Sequence, residues 1–184
     1  QIDEPIVLKQ ILNLINELKL HESDEDTNGD LFEYVLKGIQ GQGELGQYRT
    51  PRHIIDFIVS VIKPTISEQI YDPAVGTAGF LVSAFNYIKL QHTSTRMKKE
   101  ITVDGIKKKV GIGDKLSDEH FDILDKKTFY GNDASNRFVR LSLMNLYLRG
   151  LTSAKIFKRN SLSDTFDKNY RISKKLPIDG YDII

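Results

Sequence analysis

The chain has 184 residues, 40% of them apolar and 28% charged, which suffices for one core of roughly 150 residues with about 30 to spare. No apolar run approaches the ~20 residues of a membrane-spanning helix, and the absence of cysteine removes disulfides, thiolate nucleophiles and cysteine-bound zinc. The formal charge of +1 conceals a split: residues 1–46 carry 3 basic and 10 acidic side chains, whereas residues 47–184 carry 23 and 15. A basic body behind an acidic arm points toward a polyanion as partner. Four scattered histidines have no metal-ligand spacing, so no metal site is expected.

Ile6, Leu8, Ile11, Leu12, Ile15 and Leu18 recur at helical spacing, and Leu31, Phe32, Val35 and Leu36 repeat the pattern after a polar stretch from His21 to Asp30. Glycines at 38, 41, 43 and 46 then break the periodicity, which divides the chain into a helical region over residues 1–46 and a body over residues 47–184. Pro51, followed by Ile54, Ile55, Phe57, Ile58, Val61 and Ile62 and closed by Pro64, predicts the first helix of the body. A short strand follows at Gln69 to Tyr71, then a glycine turn, then a helix with Phe80, Leu81, Ala84, Phe85 and Ile88 on one face.

Residues 91–128 are rich in lysine and read as a surface excursion with a small hairpin around Val103-Asp104-Gly105-Ile106. A strand returns at Thr128 to Tyr130. A helix from Ser135 to Leu148 follows, with Phe138, Leu141, Met144 and Leu148 expected inward. Lys155 to Phe157 and Tyr181 to Ile184 are the last strands. Strands alternating with helices predict an α/β protein whose parallel sheet is covered on both faces. The chain starts at Gln1 and ends inside an apolar run, so a piece of a longer protein is expected.

Tyr71-Asp72-Pro73-Ala74-Val75-Gly76-Thr77-Ala78-Gly79-Phe80-Leu81 places an acid at a strand tip and glycines where the chain must turn into a helix. Ligands bind at that end of a parallel sheet. Gly76 and Gly79 let backbone N–H groups at the helix start approach a carboxylate or phosphate, while Asp72 adds a negative charge beside them. That pairing suits a zwitterionic ligand. The G-x-x-G spacing lacks the third glycine of the dinucleotide fingerprint, and no Gly-Lys-Ser/Thr follows to make a P-loop. Asp133, at the end of Tyr130-Gly131-Asn132-Asp133, is a candidate for holding ribose hydroxyls or for capping the next helix.

On these residues the chain resembles the modification subunits of type I restriction-modification systems, S-adenosylmethionine-dependent adenine-N6 DNA methyltransferases. Gly46-Gln47-Tyr48-Arg49-Thr50-Pro51-Arg52 is similar to the family's Gly-Gln-aromatic-x-Thr-Pro-Arg segment, which closes over the methionine part of the cofactor. Residues 72–81 resemble its Asp-Pro-x-x-Gly-Thr-Gly-Gly-Phe-Leu loop, with Val75 where cysteine is common and Ala78 in place of a glycine, a change expected to be tolerated because it adds one methyl. Gly131-Asn132-Asp133 stands where the family has Gly-x-Glu. Arg159-Asn160-Ser161-Leu162 stands where it has Gly-Asp-Ser/Thr-Leu, so Asn160 would meet the adenine edge.

The resemblance therefore implies a Rossmann-like methyltransferase sheet, truncated in its C-terminal half, with Gln47, Tyr48, Arg49, Thr50, Pro51, Arg52, Asp72, Gly76, Thr77, Ala78, Gly79, Asp133 and Asn160 holding S-adenosylmethionine. Tyr181-Asp182-Ile183-Ile184 resembles the strand that runs into the family's Asn-Pro-Pro-aromatic motif, which grips a flipped adenine. That motif would follow Ile184, so no catalytic residue is expected within the chain and the polypeptide alone is expected to transfer no methyl group. The implied partners are duplex DNA and the specificity and restriction subunits, in the cytoplasm, with self-association of the fragment through exposed apolar sheet surface. Lys107, Lys108, Lys109, Arg137 and Arg140 are either phosphate contacts or solvated charge. A nicotinamide-type oxidoreductase domain and a non-catalytic interaction module are the alternative readings.

Overall fold

The computed structural model describes residues 50–103, 105–162, 174, 176–177 and 180–184, together with Lys9, Asn13, Asn28, Gly29, Leu31, Phe32 and Tyr34. Those seven N-terminal residues have helical backbone, including Asn28 and Gly29 within the stretch read as a polar connection. The remainder of the predicted N-terminal helices and the glycine crossing lie outside the described residues.

The first helix of the body, α1, spans Arg52–Ile62. Pro51 stands at its N-cap. Lys63 ends the helix in the left-handed conformation (φ 56°), its N–H bonded to the Val59 carbonyl, and Pro64 prevents continuation. Although the helix is apolar on several sides, only Ile55 and Val59 are buried, and Ile54, Phe57, Val61 and Ile62 are exposed.

Strand β1 (Ile70–Asp72) leads through the turn into α2 (Gly79–Gln91). Leu81, Val82, Ser83, Ala84, Phe85, Ile88 and Lys89 of α2 are all buried, so this helix is covered on most of its circumference. One side meets α1, where Ser83 Oγ donates to Asp56 Oδ1 at 2.6 Å. The predicted surface excursion is more ordered than its sequence implies. A one-turn 3₁₀ helix at Thr95–Met97 precedes the hairpin β2 (Lys99–Val103) and β3 (Ile106–Val110), in antiparallel register with Val103 opposite Ile106. Helix α3 (Asp118–Ile123) follows, started by a reciprocal cap between Ser117 and His120, and a π turn at Leu124–Thr128 returns the chain to the sheet. Six residues are too few to show helical periodicity, and histidine takes the place of the usual Glu or Gln in the cap, so the sequence conceals this helix.

Strand β4 (Phe129–Asp133), helix α4 (Asn136–Tyr147) and strand β5 (Lys155–Lys158) complete the described regular elements. The sheet order is β1-β4-β5, all parallel, with Ile70 opposite Phe129 and Gly131 opposite Ile156. On the other side of β1, Ile183 forms a parallel bridge with Ile70, and Tyr71 N–H donates to the Ile183 carbonyl at 2.9 Å. The chain thus moves outward from β1 through β4 to β5 and then returns across β1. The strand order reverses there, and such a reversal opens a crevice at the carboxyl ends of the strands.

Helices α1, α2 and α4 pack against one core, in which Phe85, Phe129, Leu81, Ile88, Leu124 and Leu146 are fully buried and Phe85 meets Phe129 edge to face. A second apolar cluster joins Tyr71, Tyr130 and Leu176, with Phe157 and Tyr181 against it, and the Tyr71 and Tyr181 rings stack 4.5 Å apart. Helix α4 corrects the sequence reading. Its buried residues are Ser142, Asn145 and Leu146, while Met144 is half exposed and Phe138, Leu141 and Leu148 are only partly covered. Periodicity selects the more apolar stripe, but the packing surface receives a mixed stripe because two polar side chains on it have structural partners described below. Among the described residues, no helix is long and apolar enough to cross a membrane.

Ala78 is the N-cap of α2 and has φ 66°, with its side chain fully buried. Volume reasoning therefore considers the smaller effect. The methyl fits, but an L-residue in the left-handed region costs about 1–2 kcal/mol that glycine avoids. Ala78→Gly should raise the stability of the fold by a few tenths of a kcal/mol, the strain relieved less about 0.8 kcal/mol of lost methyl burial and the greater chain entropy of glycine when unfolded. Thermal melting would show this as a higher midpoint, and an unchanged or lower midpoint would refute the assignment of strain.

Candidate functional site

The turn at residues 73–78 lies at the carboxyl end of β1 and is held from several directions. Val75 N–H donates to the Asn132 carbonyl at 2.9 Å, and Gly76 N–H donates to Asp133 Oδ2 at 3.1 Å. Ala78 N–H closes back on the Val75 carbonyl at 2.7 Å, and Ser161 Oγ donates to the Pro73 carbonyl. Each link joins the turn to the end of another strand or to itself. Gly76 has φ 53°, and a Cβ built there would meet nothing nearer than the Ala74 carbonyl oxygen at 3.9 Å. Its surroundings leave room for another molecule to approach the backbone.

Gly131, on β4, is required for a different reason. A Cβ there would stand 3.1 Å from both the Asp72 carbonyl oxygen and Val75 Cβ, and 3.2 Å from Ile156 Cδ1. The absent side chain lets the turn fold down onto β4. Gly79 serves the same end toward α1, because a Cβ there would meet Ile55 Cδ1 at 3.1 Å.

Asp72 ends β1, and its Oδ1 accepts from Ala74 N–H at 3.0 Å. Burial pushes its carboxyl above the ordinary value of 3.8; the Ala74 hydrogen bond opposes this, and the neighbouring charge of Asp133 adds a little to the rise. Asp133 binds two backbone donors, Gly76 N–H through Oδ2 and Ser135 N–H through Oδ1 at 2.8 Å. Ser135 is itself the N-cap of α4, accepting from Arg137 N–H. The capping alternative for Asp133 therefore passes to Ser135. A carboxylate has about four lone-pair positions, so two backbone contacts leave acceptor capacity at Asp133.

The first residue of α1 reaches the same place. Arg52 Nη1 donates to the Gly79 carbonyl at 3.0 Å, and Pro51 and Thr50 precede it directly. Gln47, Tyr48 and Arg49 lie outside the described residues. Asn160 lies in the loop after β5, exposed, with Oδ1 accepting from Leu162 N–H at 3.0 Å. That loop is tied to the turn by Ser161 and to β4 by Arg159 N–H, which donates to the Asp133 carbonyl at 2.8 Å. Thus Thr50, Pro51, Arg52, Asp72, Gly76, Thr77, Ala78, Gly79, Asp133 and Asn160 all belong to segments that meet at one end of the sheet.

The basic residues do not form a single patch. Arg137 and Arg140 are exposed near the start of α4, at the same end as the turn. The hairpin lysines follow the far end of α2, which at 13 residues is roughly 20 Å long. Lys107 there pairs with Glu100 at 3.3 Å.

Sequence reasoning passed over several participants. Asn132 is buried, with Nδ2 donating to the Tyr71 hydroxyl at 2.8 Å while its carbonyl receives Val75 N–H. Asn145 is buried in α4 and donates through Nδ2 to the Thr77 carbonyl at 2.7 Å. Ser142, Asn145 and Arg149 stand at spacings of three and four along a helix that is otherwise leucine-rich, which was the available signal. An apolar cleft of about 300 Å³ also opens beside the turn, lined by Ile58, Ile62, Asp72, Pro73, Phe80 and Ile183.

The donor set fits an amino-acid nucleoside. Among the described residues no side-chain hydrogen bond caps the N-terminus of α2, and helix N-termini left without such a partner are in general able to receive an anion. Asp72 ends β1 just before the turn, and Asp133 lies at the tip of the adjacent strand, the position from which nucleotide-binding sheets in general hold ribose hydroxyls.

Residues 23–178 match the family model described as N-6 DNA methylase. The methylase subunit of the type I restriction enzyme EcoEI from Escherichia coli is 39% identical over 90 residues, covering 48% of this chain and 18% of that protein. The StySPI methylase subunit from Salmonella potsdam is 30% identical over 156 residues, covering 82% of this chain and 26% of that protein. A chain from a structure describing complex assembly and conformational transition of the type I restriction-modification system superposes with a TM-score of 0.62 at 28% identity, over 84% of this chain and 28% of that one. The chain spans between 18% and 28% of the length of these relatives. With the family model matching most of its length and a parallel sheet built around the Asp72 to Gly79 turn, the chain belongs to the N-6 DNA methylase family.

Proposed function

We propose that this chain is the S-adenosylmethionine-binding part of a site-specific adenine-N6 DNA methyltransferase of a type I restriction-modification system. One observation supports this reading above the others: Gly76 N–H on Asp133 and Arg52 on the Gly79 carbonyl tie two separate segments, the tip of β4 and the start of α1, to the turn and the first residue of α2. The first amides of α2 bind the cofactor's carboxylate, Asp72 takes its ammonium group, Asp133 holds the ribose, and Asn160 meets the adenine edge. The segment from Gln47 to Arg52 closes over the methionine part, with Arg52 anchoring it to α2. The cofactor supplies an electrophilic methyl group on sulfur. The chain's own contribution is to fix that group's direction and exclude water from one side of it, because methyl transfer depends on in-line placement of the accepting nitrogen.

In the whole protein the acceptor is the amino group of an adenine in duplex DNA, flipped from the stack. The specificity and restriction subunits are its proposed partners, as the assembly named for the related structure supports. The proposed compartment is the cytoplasm. The exposed apolar side of α1, with Phe57 and Val61 about two-thirds exposed, supports self-association of this polypeptide at high concentration.

Calorimetric titration with S-adenosylhomocysteine, run in parallel with NAD, tests the cofactor assignment. S-adenosylhomocysteine should bind and NAD should not. Asp133→Ala should weaken binding by about 10-fold to 100-fold or more, because it removes a charged acceptor for the ligand together with the carboxylate that holds Gly76 N–H in the turn. Preference for NAD, or an Asp133→Ala variant with undiminished affinity, would overturn the assignment.

The upward-shifted pKa of Asp72 gives a second test. Between 3.8, its ordinary value, and its elevated folded value, the folded state holds more protons than the unfolded chain. Asp72 therefore lowers stability as pH rises through that window. Asp72→Asn should raise the melting midpoint at pH 7, lose that advantage below pH 3.8, and still weaken S-adenosylhomocysteine binding. An Asn variant that melts lower at pH 7 would show that the carboxylate stabilises the fold instead.

A further inference from the structure

We propose that Asn145 and Arg149 are positioning residues for the turn at residues 73–78, and that Gly29 of the N-terminal helical region forms the seat that keeps Arg149 in place. The consequence for ligand binding rests on the S-adenosylmethionine reading; the consequence for the turn itself does not.

Asn145 is 1% exposed and Arg149 is 3% exposed, within a helix and corner that otherwise bury Leu146 and Leu151. Polar groups so deeply placed are costly unless their hydrogen bonds are made. Here they are made in sequence. Asn145 Nδ2 donates to the Thr77 carbonyl at 2.7 Å, and Arg149 Nη1 donates both to Asn145 Oδ1 and to the Asn145 carbonyl, the latter at 3.1 Å. The guanidinium fixes which way the amide of Asn145 faces, because an oxygen bound to Arg149 leaves the NH₂ end for Thr77.

Thr77 lies between two residues in the left-handed region, Gly76 at φ 53° and Ala78 at φ 66°. Its carbonyl belongs to the peptide that leads into Ala78. Holding that oxygen sets the plane of the peptide, and with it the direction of Ala78 N–H toward the Val75 carbonyl. The non-glycine residue at 78 would gain by leaving this conformation, so the turn requires an external hold. Asn145 provides it from the core side.

Gly29 extends the chain of contacts to the N-terminal region. A Cβ built on Gly29 would stand 2.5 Å from Arg149 Cζ and 2.6 Å from Nη1, closer than real atoms approach. An exposed arginine would simply swing aside. This one is buried, and moving it disturbs its bonds to Asn145. A single physical path therefore runs from Gly29 through Arg149 and Asn145 to the Thr77 carbonyl.

The full 184-residue chain, as wild type, Asn145→Asp, Arg149→Lys and Gly29→Ala, should be compared by hydrogen exchange at the amides of residues 76–80 and by titration with S-adenosylhomocysteine. Asp at 145 keeps the size of the side chain but has no donor for Thr77. Exchange at the turn should quicken by about tenfold and affinity should fall by about tenfold in Asn145→Asp, the consequence of one lost hydrogen bond. Arg149→Lys and Gly29→Ala should shift both readouts in the same direction by less. Leu151→Ala, a buried apolar control in the same corner, should lower the melting midpoint and leave exchange at the turn unchanged.

If Asn145→Asp and Gly29→Ala exchange at the turn like wild type, the inference is overturned. It is also overturned if Leu151→Ala quickens the turn as much as they do, since the effect would then be general loosening. Should Asn145→Asp prove unable to fold, Gly29→Ala and Arg149→Lys decide the matter alone. If wild type fails to bind S-adenosylhomocysteine while the variants still quicken the turn, the cofactor reading falls and the positioning role stands.

Discussion

The hydrogen bond from Gly76 N–H to Asp133 Oδ2 joins the ends of two adjacent parallel strands through a loop that would otherwise project from the sheet. Everything else in the site follows from that junction. Once the turn lies against β4, the charge of Asp133 adds to the upward push that burial exerts on the Asp72 carboxyl, and the start of α2 lies at the end of the sheet where the strand order reverses. The junction in turn depends on an absence: Gly131 has no Cβ, and one placed there would meet the Asp72 carbonyl and Val75. Backbone approach comes first, and the electrostatics of the site are a consequence of it.

The energetics of this end of the sheet are those of a site rather than of a core. Asp72 is held partly buried against the preference of its charge, Ala78 is held at positive φ against the preference of its backbone, and Asn145 and Arg149 are held away from water. Each of these carries a cost that an apolar or glycine substitute would avoid, and each is matched by hydrogen bonds that fix direction. The apolar cluster around Phe85, Phe129 and Leu146 supplies the compensating stability: each such buried side chain contributes about 1.5–3 kcal/mol. The rigid layer beneath α2 and α4 is what permits strain above it.

The elements nearest the site were the most legible. Pro51, the Asp72 to Gly79 turn and Asp133 could be read because each places a residue of unusual backbone or charge behaviour where the hydrophobic pattern stops, and the structure brings the described ones together. The hairpin was readable from Val103-Asp104-Gly105-Ile106, since a short polar and glycine break between apolar residues has few alternatives. Less legible were α3, too short to establish a period, and the inward face of α4. There the apolar stripe through Met144 competed with a stripe containing Ser142, Asn145 and Arg149, and polarity argued for the wrong side.

Composition, periodicity and the ordered motifs by themselves determined an α/β chain, a strand-turn-helix unit at Ile70 to Gln91, and the resemblance that the family match supports. These features are local: a glycine, a proline or an amphipathic repeat acts within a few residues of where it is written. Tertiary structure alone decided that Ile183 pairs with Ile70 on the far side of β1, that Arg52 reaches the Gly79 carbonyl, and that Asn145 binds Thr77 across 68 positions of sequence. Such contacts have no local signature, because a buried amide or guanidinium is stabilised only by partners that folding brings to it.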